Sequence, residues 1–187
     1  MNRTNTFSAI VAAFTLALIV DTSRANAQEV VRATADIAGC TDAGITGTAN
    51  LTERPTDEGI KLVEVSLVVK GLTDGKHAVH IHEVASCAPC ATAGGHHDPG
   101  PASNPSPDGN HPFHMGDLLN LDVHGGVGVM HTTTSRITLS AGPLSIFDGN
   151  GSAFIIHADE DTYCPVPGEA GCAGGARVAC GIITPAR

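Results

Sequence analysis

Histidine is the residue type whose number and spacing in this chain point most directly to chemistry. The sequence contains ten histidines beside one tyrosine and no tryptophan. His80 and His82 alternate in an apolar segment, and side chains at i and i+2 leave the same face of a strand, so both imidazoles can reach one ion. A single histidine at a strand end is more often a hydrogen-bonded core residue, so the prediction of a metal site depends on further members of the group: His96, His97, His111, His114 and His157.

The types of side chain in this group limit the choice of metal. Imidazoles without thiolate partners suit copper or zinc, and a nearby carboxylate such as Asp117 suits zinc. Other catalytic motifs are missing from the sequence, which has neither the G-x-S-x-G of serine hydrolases nor a phosphate-binding G-x-x-x-x-G-K-[ST]. The formal net charge of −9 makes the chain a poor match for nucleic acid or anionic lipid.

The segments that must position these histidines read as short strands between turns. Val, Ile and Leu are concentrated in runs bounded by Gly, Asp or Pro, which predicts an antiparallel sandwich or barrel. The predicted strands are Val31 to Ile37, Ile45 to Leu51, Ile60 to Val69, His77 to Glu83, Ser135 to Leu139, Ala153 to His157 and Arg177 to Ile183. Two stretches, Ala85 to Asn110 and Asp159 to Gly175, are too long for hairpin connections, and long loops on a β scaffold usually carry function.

The first 27 residues are predicted to be a signal peptide. Arg3 precedes an apolar run from Phe7 to Val20, and Ala25-Asn26-Ala27 fits the small-x-small pattern of a cleavage site after Ala27. A membrane anchor is the alternative interpretation, but the run is short for a membrane-spanning helix. We therefore expect one domain over residues 28–187, with no membrane association after cleavage, exported to the periplasm or secreted.

Cysteine usage agrees with export. All six cysteines follow the predicted cleavage site, and an even count in an exported chain predicts disulfides. Cys87-Ala88-Pro89-Cys90 also fits a redox pair or half of a zinc ribbon, but no second C-x-x-C completes a ribbon. Composition alone leaves the pairing of the six cysteines open.

Five ordered motifs resemble those of the copper/zinc superoxide dismutases, and together they cover nearly all of the chain after the leader. They are GKHAVHIHE (Gly75 to Glu83), GGHHDP (Gly94 to Pro99), HMGDLLNL (His114 to Leu121), GSAFIIHADED (Gly151 to Asp161) and GGARVACGII (Gly174 to Ile183). The resemblance implies an all-β fold, an eight-stranded Greek-key β-barrel whose metal site lies on the outside under two long functional loops. It also implies copper and zinc as cofactors and superoxide as a small-molecule substrate.

The resemblance implies roles for individual residues. The implied copper ligands are His80, His82, His96 and His157, and the implied zinc ligands are His96, which bridges the metals, His114 and Asp117. Arg177 matches the arginine that attracts superoxide, Asp161 the carboxylate that orients ligand histidines, and His77 a histidine that packs nearby without binding metal. Cys87 and Cys180 match the pair whose disulfide ties the long loop to the barrel. His96 and Arg177 are therefore the expected catalytic residues.

The sequence departs from the family pattern in the zinc loop. The family has a further zinc histidine eight residues after the bridging one, where this chain has Asn104. His111 is the candidate replacement, with His97 less favoured because it adjoins the bridge. The alternative is that His111 is exposed and zinc is weak or absent. Both interpretations stay open at this stage.

The outer loop also departs from the pattern. It gains Cys164 and Cys172, which we expect to pair with each other and so leave Cys40 to pair with Cys90. The chain has only three lysines, Lys61, Lys70 and Lys76, so Arg177 and the metal are expected to attract the substrate without long-range help.

Two functions are consistent with these residues. The first is dismutation of superoxide to oxygen and hydrogen peroxide at copper. The second is copper binding or delivery on the same barrel without efficient turnover, which would not need His96 or Arg177. The oligomeric state, monomer or homodimer, is left open.

Overall fold

The computed structural model describes residues 30–99, 111–166 and 170–186. Asn104 and the predicted signal peptide lie outside these ranges. Among the described residues no helix is long and apolar enough to cross a membrane.

One antiparallel sheet makes up the fold. Its strands are β1 (Val31–Gly39), β2 (Thr46–Pro55), β3 (Lys61–Lys70), β4 (Gly75–His77), β5 (Val79–His82), β6 (Leu121–His124), β7 (Val127–Thr134), β8 (Ala153–His157), β9 (Arg177–Ile182) and the short β10 (Thr184–Pro185), with one 3-10 helix at Cys90–Ala93. The spatial order is β4-β6-β7-β3-β2-β1-β9-β8-β5, and β10 pairs with β1. The two ends of this order, β4 and β5, are consecutive in the chain, so the sheet curls into a nearly closed barrel.

The predicted all-β barrel is confirmed, and its strand count depends on how β4 and β5 are treated. Ala78 alone separates β4 from β5. If β4 and β5 are counted as one bent strand, the described residues form eight main strands together with the two-residue β10. Strands β7 and β8 are consecutive in the chain but are not neighbours in the sheet, so the segment between them crosses over the intervening strands in a Greek-key connection.

The predicted strand at Ser135 to Leu139 is wrong. This segment is a loop whose one bridge joins Thr138 to Ser145. At its end a side chain takes the place of a neighbouring strand, because the N–H groups of Leu139 and Ser140 donate to the buried carboxylate of Glu53 at 2.6 and 2.9 Å.

Two strands, β6 and β7, were not predicted from the sequence. They form a hairpin whose turn residues Gly125 and Gly126 have φ of 58° and 74°, the left-handed conformation that a tight hairpin requires. The outward positions of β7 include the exposed Val127 and Val129, and Gly128 is one of the inward ones, so its hydrophobic alternation is weak in the sequence.

The barrel interior holds the core. Strand β3 shows the pattern most clearly, since Val63, Val65, Leu67 and Val69 alternate inward and are all buried. Strand β5 differs, because all four of its residues are buried. Val79 and Ile81 face the core, and the opposite face, which carries His80 and His82, is covered by the long loop after β5. The histidines thus lie outside the barrel but away from bulk water.

Candidate metal centre

Four of the predicted histidines converge on the outer face of β5 and the end of β8. His80, His82, His96 and His157 are buried, and each offers a ring nitrogen within 4.8 Å of those of the others. His80 Nδ1 lies 3.2 Å from His157 Nε2. The pairing of β5 with β8 sets this approach, while a bridge between His82 and His96 brings the loop histidine to the strand.

The outer nitrogen of each of these rings faces a fixed acceptor. His82 Nδ1 donates to the carbonyl of Gly94 and His157 Nδ1 to that of Gly175, each at 3.0 Å. The outer nitrogens of the other two rings meet carboxylates: His80 Nε2 lies 3.1 Å from Asp161 and His96 Nδ1 lies 2.7 Å from Asp117. Fixing the proton on the outer nitrogen leaves the inner nitrogen as an electron-pair donor, which is how metal-binding histidines are oriented.

The inner nitrogens are suited to a cation. His82 Nε2 is buried and has no hydrogen-bond partner among the described residues, an arrangement that is costly unless something else binds there. Burial lowers the pKa of His80 to about 3 and that of His157 to about 4. Both rings are therefore neutral near pH 7 and available as ligands. Four imidazoles without a thiolate suit copper.

A second cluster surrounds the carboxylate of Asp117. Its oxygens lie 2.7 Å from His96 Nδ1, 3.1 Å from His111 Nδ1 and 3.3 Å from His114 Nδ1. His80, His96, His111 and Asp117 also form a group whose potential ligand atoms are all within 4.8 Å of one another. This group shares His80 and His96 with the first and leaves out His114, although His114 also contacts Asp117. Three imidazoles with one carboxylate suit zinc.

Charge is balanced inside this second cluster. Burial alone would raise the pKa of Asp117, but hydrogen bonds from the surrounding histidines hold it well below its usual range. Burial lowers the pKa of His111, yet its contacts with Asp117 and Asp161 outweigh that effect and raise it to about 9. A cation at this position would replace the proton that His111 otherwise carries.

His111 is buried, contrary to the interpretation that leaves it exposed in the loop. It is 6% exposed and is the only one of the two candidate replacements that reaches the Asp117 cluster. His97 is also buried, but its backbone is hydrogen-bonded to Ile81 and Gly116, and it belongs to neither of the two groups of converging ligand atoms.

Gly116 explains how the loop returns to β5. The Ile81 N–H donates to the Gly116 carbonyl at 2.8 Å, and a Cβ at position 116 would lie 2.1 Å from the Ile81 oxygen. Only glycine allows this approach, which brings the adjacent Asp117 into a bridge with His80.

Asp161 links the two clusters. Its Oδ2 lies 3.1 Å from His80 Nε2 and 2.6 Å from His111 Nε2, so one oxygen orients a ring in each cluster. Asn120 holds the backbone of Asp161 through two hydrogen bonds of 2.8 and 2.9 Å. Sequence reasoning gave Asn120 no role, although it lies in the HMGDLLNL motif. His77 contacts the carbonyls of His157 and Thr73 at 2.7 and 2.9 Å and belongs to neither ligand group.

Arg177 lies at the start of β9, beside the four-histidine cluster. Its guanidinium donates to the carbonyls of Cys90, Ala91 and Gly94 at 3.0, 3.3 and 2.6 Å. Gly94 also accepts from His82, so one carbonyl fixes both a ring of the cluster and the arginine. The charges of Arg177 and the histidines interact, since Arg177 lowers the pKa of His82 after burial and His96.

Three pairs of cysteines have their sulfur atoms at bonding distance. The pairs are Cys40 with Cys90, Cys87 with Cys180 and Cys164 with Cys172. The first two tie the loop after β5 to β1 and β9, and the third closes a short segment in the loop before β9. The chain is thus a disulfide-bonded protein.

Comparison with known proteins agrees with this geometry. The model of the copper/zinc superoxide dismutase family matches residues 45–183. The Cu-Zn superoxide dismutase of Deinococcus radiodurans is 36% identical over 154 residues, covering 74% of this chain and 77% of the relative. Those of Legionella pneumophila (38% identical, covering 60% and 64%) and Photobacterium leiognathi (33% identical, covering 73% and 85%) are also similar. The chain belongs to the copper/zinc superoxide dismutase family.

Proposed function

We propose that this protein converts two superoxide anions and two protons into oxygen and hydrogen peroxide at a copper ion held by His80, His82, His96 and His157. The observation that carries the proposal is the Gly94 carbonyl, which accepts from both His82 and Arg177 and so fixes a cation beside four inward-facing imidazoles. The match of the family model and the names of the relatives support the same reaction.

The four imidazoles supply the environment that the redox step needs. When bound, copper supplies one-electron exchange, taking an electron from one superoxide and giving it to the next. Neutral nitrogen ligands suit both of its oxidation states, and zinc has no redox chemistry to offer in its place. The carbonyls and carboxylates behind the rings keep their geometry fixed, so little reorganisation accompanies the reaction.

His96 is placed to handle a proton between the two clusters. Its Nδ1 faces Asp117, so its Nε2 points to the copper cluster. We propose that Nε2 holds a proton during one half of the cycle and releases it as peroxide leaves. The copper-delivery alternative requires neither this bridge nor Arg177, and neither the comparisons nor the described residues favour that alternative.

Arg177 would bind the substrate. Superoxide is a small anion and the chain carries a formal net charge of −9, so the whole-protein field works against its approach. A partly buried guanidinium provides a local positive charge with hydrogen-bond donors whose position is fixed by three carbonyls.

We propose that zinc is bound by His96, His111, His114 and Asp117. His111 would supply the ligand that the family pattern places at Asn104. The buried position of His111 and its contacts with both Asp117 and Asp161 support this assignment.

We also propose that residues 1–27 are a signal peptide and that the protein acts in the periplasm or outside the cell. The disulfides are compatible with export, because such bonds persist in oxidising compartments. Detection of an N-terminus at Gln28 in the secreted or periplasmic fraction would test this proposal.

Metal analysis of the purified protein together with a superoxide assay tests the function. We expect one copper per chain and rapid turnover, and we expect the His157→Ala variant to lose both. A matched His131→Ala variant, which changes an exposed histidine on β7, should keep both. Copper bound at full occupancy without turnover would contradict dismutation and favour copper delivery.

A further inference from the structure

The disulfide between Cys40 and Cys90 lies directly against the groups that hold Arg177. Cys90 is 6% exposed and begins the 3-10 helix Cys90–Ala93. Its carbonyl accepts from Arg177 Nη1 at 3.0 Å, and Ala91 and Gly94 supply the other two acceptors. All three carbonyls belong to one turn of chain, so the position of this turn sets the position of the guanidinium.

The other end of the disulfide is attached to the backbone beside Arg177. Cys40 directly follows β1, and its N–H donates to the carbonyl of Val178, the residue after Arg177, at 2.8 Å. Strand β1 pairs with β9 through Ala38 with Cys180 and Gly39 with Ala179. The disulfide therefore closes a ring that runs from the backbone next to Arg177, through Cys40 and Cys90, to the acceptors of the Arg177 side chain.

The Cys87–Cys180 bond does not hold the same part of the loop. Cys87 lies before Ala88-Pro89, whereas the three acceptors lie after it, from Cys90 to Gly94. Hydrogen bonds also hold this part of the chain: the N–H of Val84 donates to Ala93 within the turn and that of Glu83 to Gly95 just after it, each at 3.0 Å. Cys40–Cys90 is thus the covalent attachment of the acceptor turn itself.

We infer that the Cys40–Cys90 disulfide is a positioning element for anion binding, because it fixes the carbonyls that aim the Arg177 guanidinium at the substrate. This inference rests on the proposed function, in which Arg177 binds superoxide. A misplacement of a fraction of an ångström in a group that binds a small anion weakens binding without removing the group. The remaining hydrogen bonds limit the effect to a partial loss.

Azide, a small anion that binds copper(II), provides a test that does not depend on turnover. We expect the copper-loaded Cys40→Ala/Cys90→Ala variant to keep its copper but to bind azide about 3- to 10-fold more weakly by visible absorption titration. The rate with superoxide should fall in the same direction. The control Cys164→Ala/Cys172→Ala removes a disulfide that supplies none of the three acceptors, and its azide affinity should stay within about twofold of the parent.

A double-mutant cycle separates positioning of Arg177 from a general loss of structure. If the disulfide acts through Arg177, removing it from an Arg177→Ala protein should weaken azide binding no further. An additive loss in that background, or parental azide affinity in the Cys40→Ala/Cys90→Ala variant, would overturn the inference. Should the double alanine variant not fold, Cys40→Ala/Cys90→Val retains the buried volume and takes its place. A copper-loaded parent that binds azide without turnover would defeat dismutation, while the azide comparison would still decide the role of the disulfide.

Discussion

The carboxylate Oδ2 of Asp161 lies 2.6 Å from Nε2 of His111. The same oxygen lies 3.1 Å from the outer nitrogen of His80, a member of the proposed copper cluster. Through its other nitrogen, His111 faces Asp117 at 3.1 Å. A histidine at an unexpected position in the sequence is therefore connected to both clusters, and this relationship leads to two predictions on metal binding.

Replacing His111 by alanine should selectively weaken zinc binding. The variant retains His96, His114 and Asp117, one ligand short of a closed tetrahedral site, so we expect zinc affinity to fall at least about 100-fold while copper stays bound. Competition with a chromophoric chelator measures both affinities. The control His124→Ala changes an exposed histidine on β6 and should bind both metals normally. Unchanged zinc affinity in the His111 variant would assign the missing ligand to another residue.

Replacing Asp161 by asparagine should weaken both metal sites together. The amide keeps the shape of the side chain but loses the charge that orients His80 and His111, and loss of such an orienting carboxylate typically costs about 10- to 100-fold in metal affinity. The same titrations measure the effect. An exposed neighbour in the same loop provides the control, Glu160→Gln. Loss of zinc affinity alone would show that the contact with His80 contributes little.

The convergence of the four proposed copper ligands could be predicted from the sequence because its geometry is largely local. Alternation places His80 and His82 on one face of β5, and pairing with β8 brings His157 alongside. The ordered motifs indicated Arg177 and the pairing of Cys87 with Cys180, and the extra cysteines of the outer loop predicted the other two pairs. These features depend on strand periodicity and on motif order, both of which are visible in a single chain.

Other parts of the site depend on distant segments and could not be read from local pattern. Asn120 holds Asp161 across 41 positions of sequence, and nothing near either residue signals that contact. The burial of His111 likewise follows from two carboxylates supplied by separate loops. The incorrect strand prediction at Ser135 to Leu139 has a similar origin, since the group that accepts from the Leu139 N–H is the Glu53 side chain on the distant strand β2.

Replacing Arg177 by alanine should reduce the rate with superoxide while leaving copper bound. The substitution removes the local cation and its donors, and no lysine lies in the segment between His157 and Arg177 to replace it. We expect kcat/KM to fall about 10-fold or more, and the remaining rate to depend less on ionic strength. Rapid-mixing or pulsed generation of superoxide measures both effects. The exposed Arg54, paired with Glu64 at 3.1 Å, provides the control Arg54→Ala, which should leave the rate nearly unchanged.

Glu53 should make the stability of the barrel depend on pH below about 4.5. Burial raises the pKa of this carboxyl, but hydrogen bonds from Ser140 and Leu139 and the nearby Lys61 ammonium outweigh burial and lower the pKa from 4.5. A depressed pKa in the folded state means that the stabilisation is present above the ordinary pKa and is lost as the pH falls through the folded value. Glu53→Gln should therefore unfold more easily at pH 7 by roughly 1–3 kcal/mol.

Urea denaturation of the parent and of Glu53→Gln at pH 7 and pH 3, in the same metal state, measures this dependence. Because metal loss in acid affects both proteins alike, the difference between their free energies of unfolding isolates Glu53. We expect that difference to shrink at pH 3, because below about 4.5 the unfolded parent protonates Glu53 more readily than the folded parent, whose carboxylate accepts from the N–H groups of Leu139 and Ser140. Glu64→Gln, which changes an exposed carboxylate on β3, should differ from the parent by less than about 0.5 kcal/mol at either pH. A constant difference for Glu53→Gln between the two pH values would show that the Glu53 charge does not stabilise the loop.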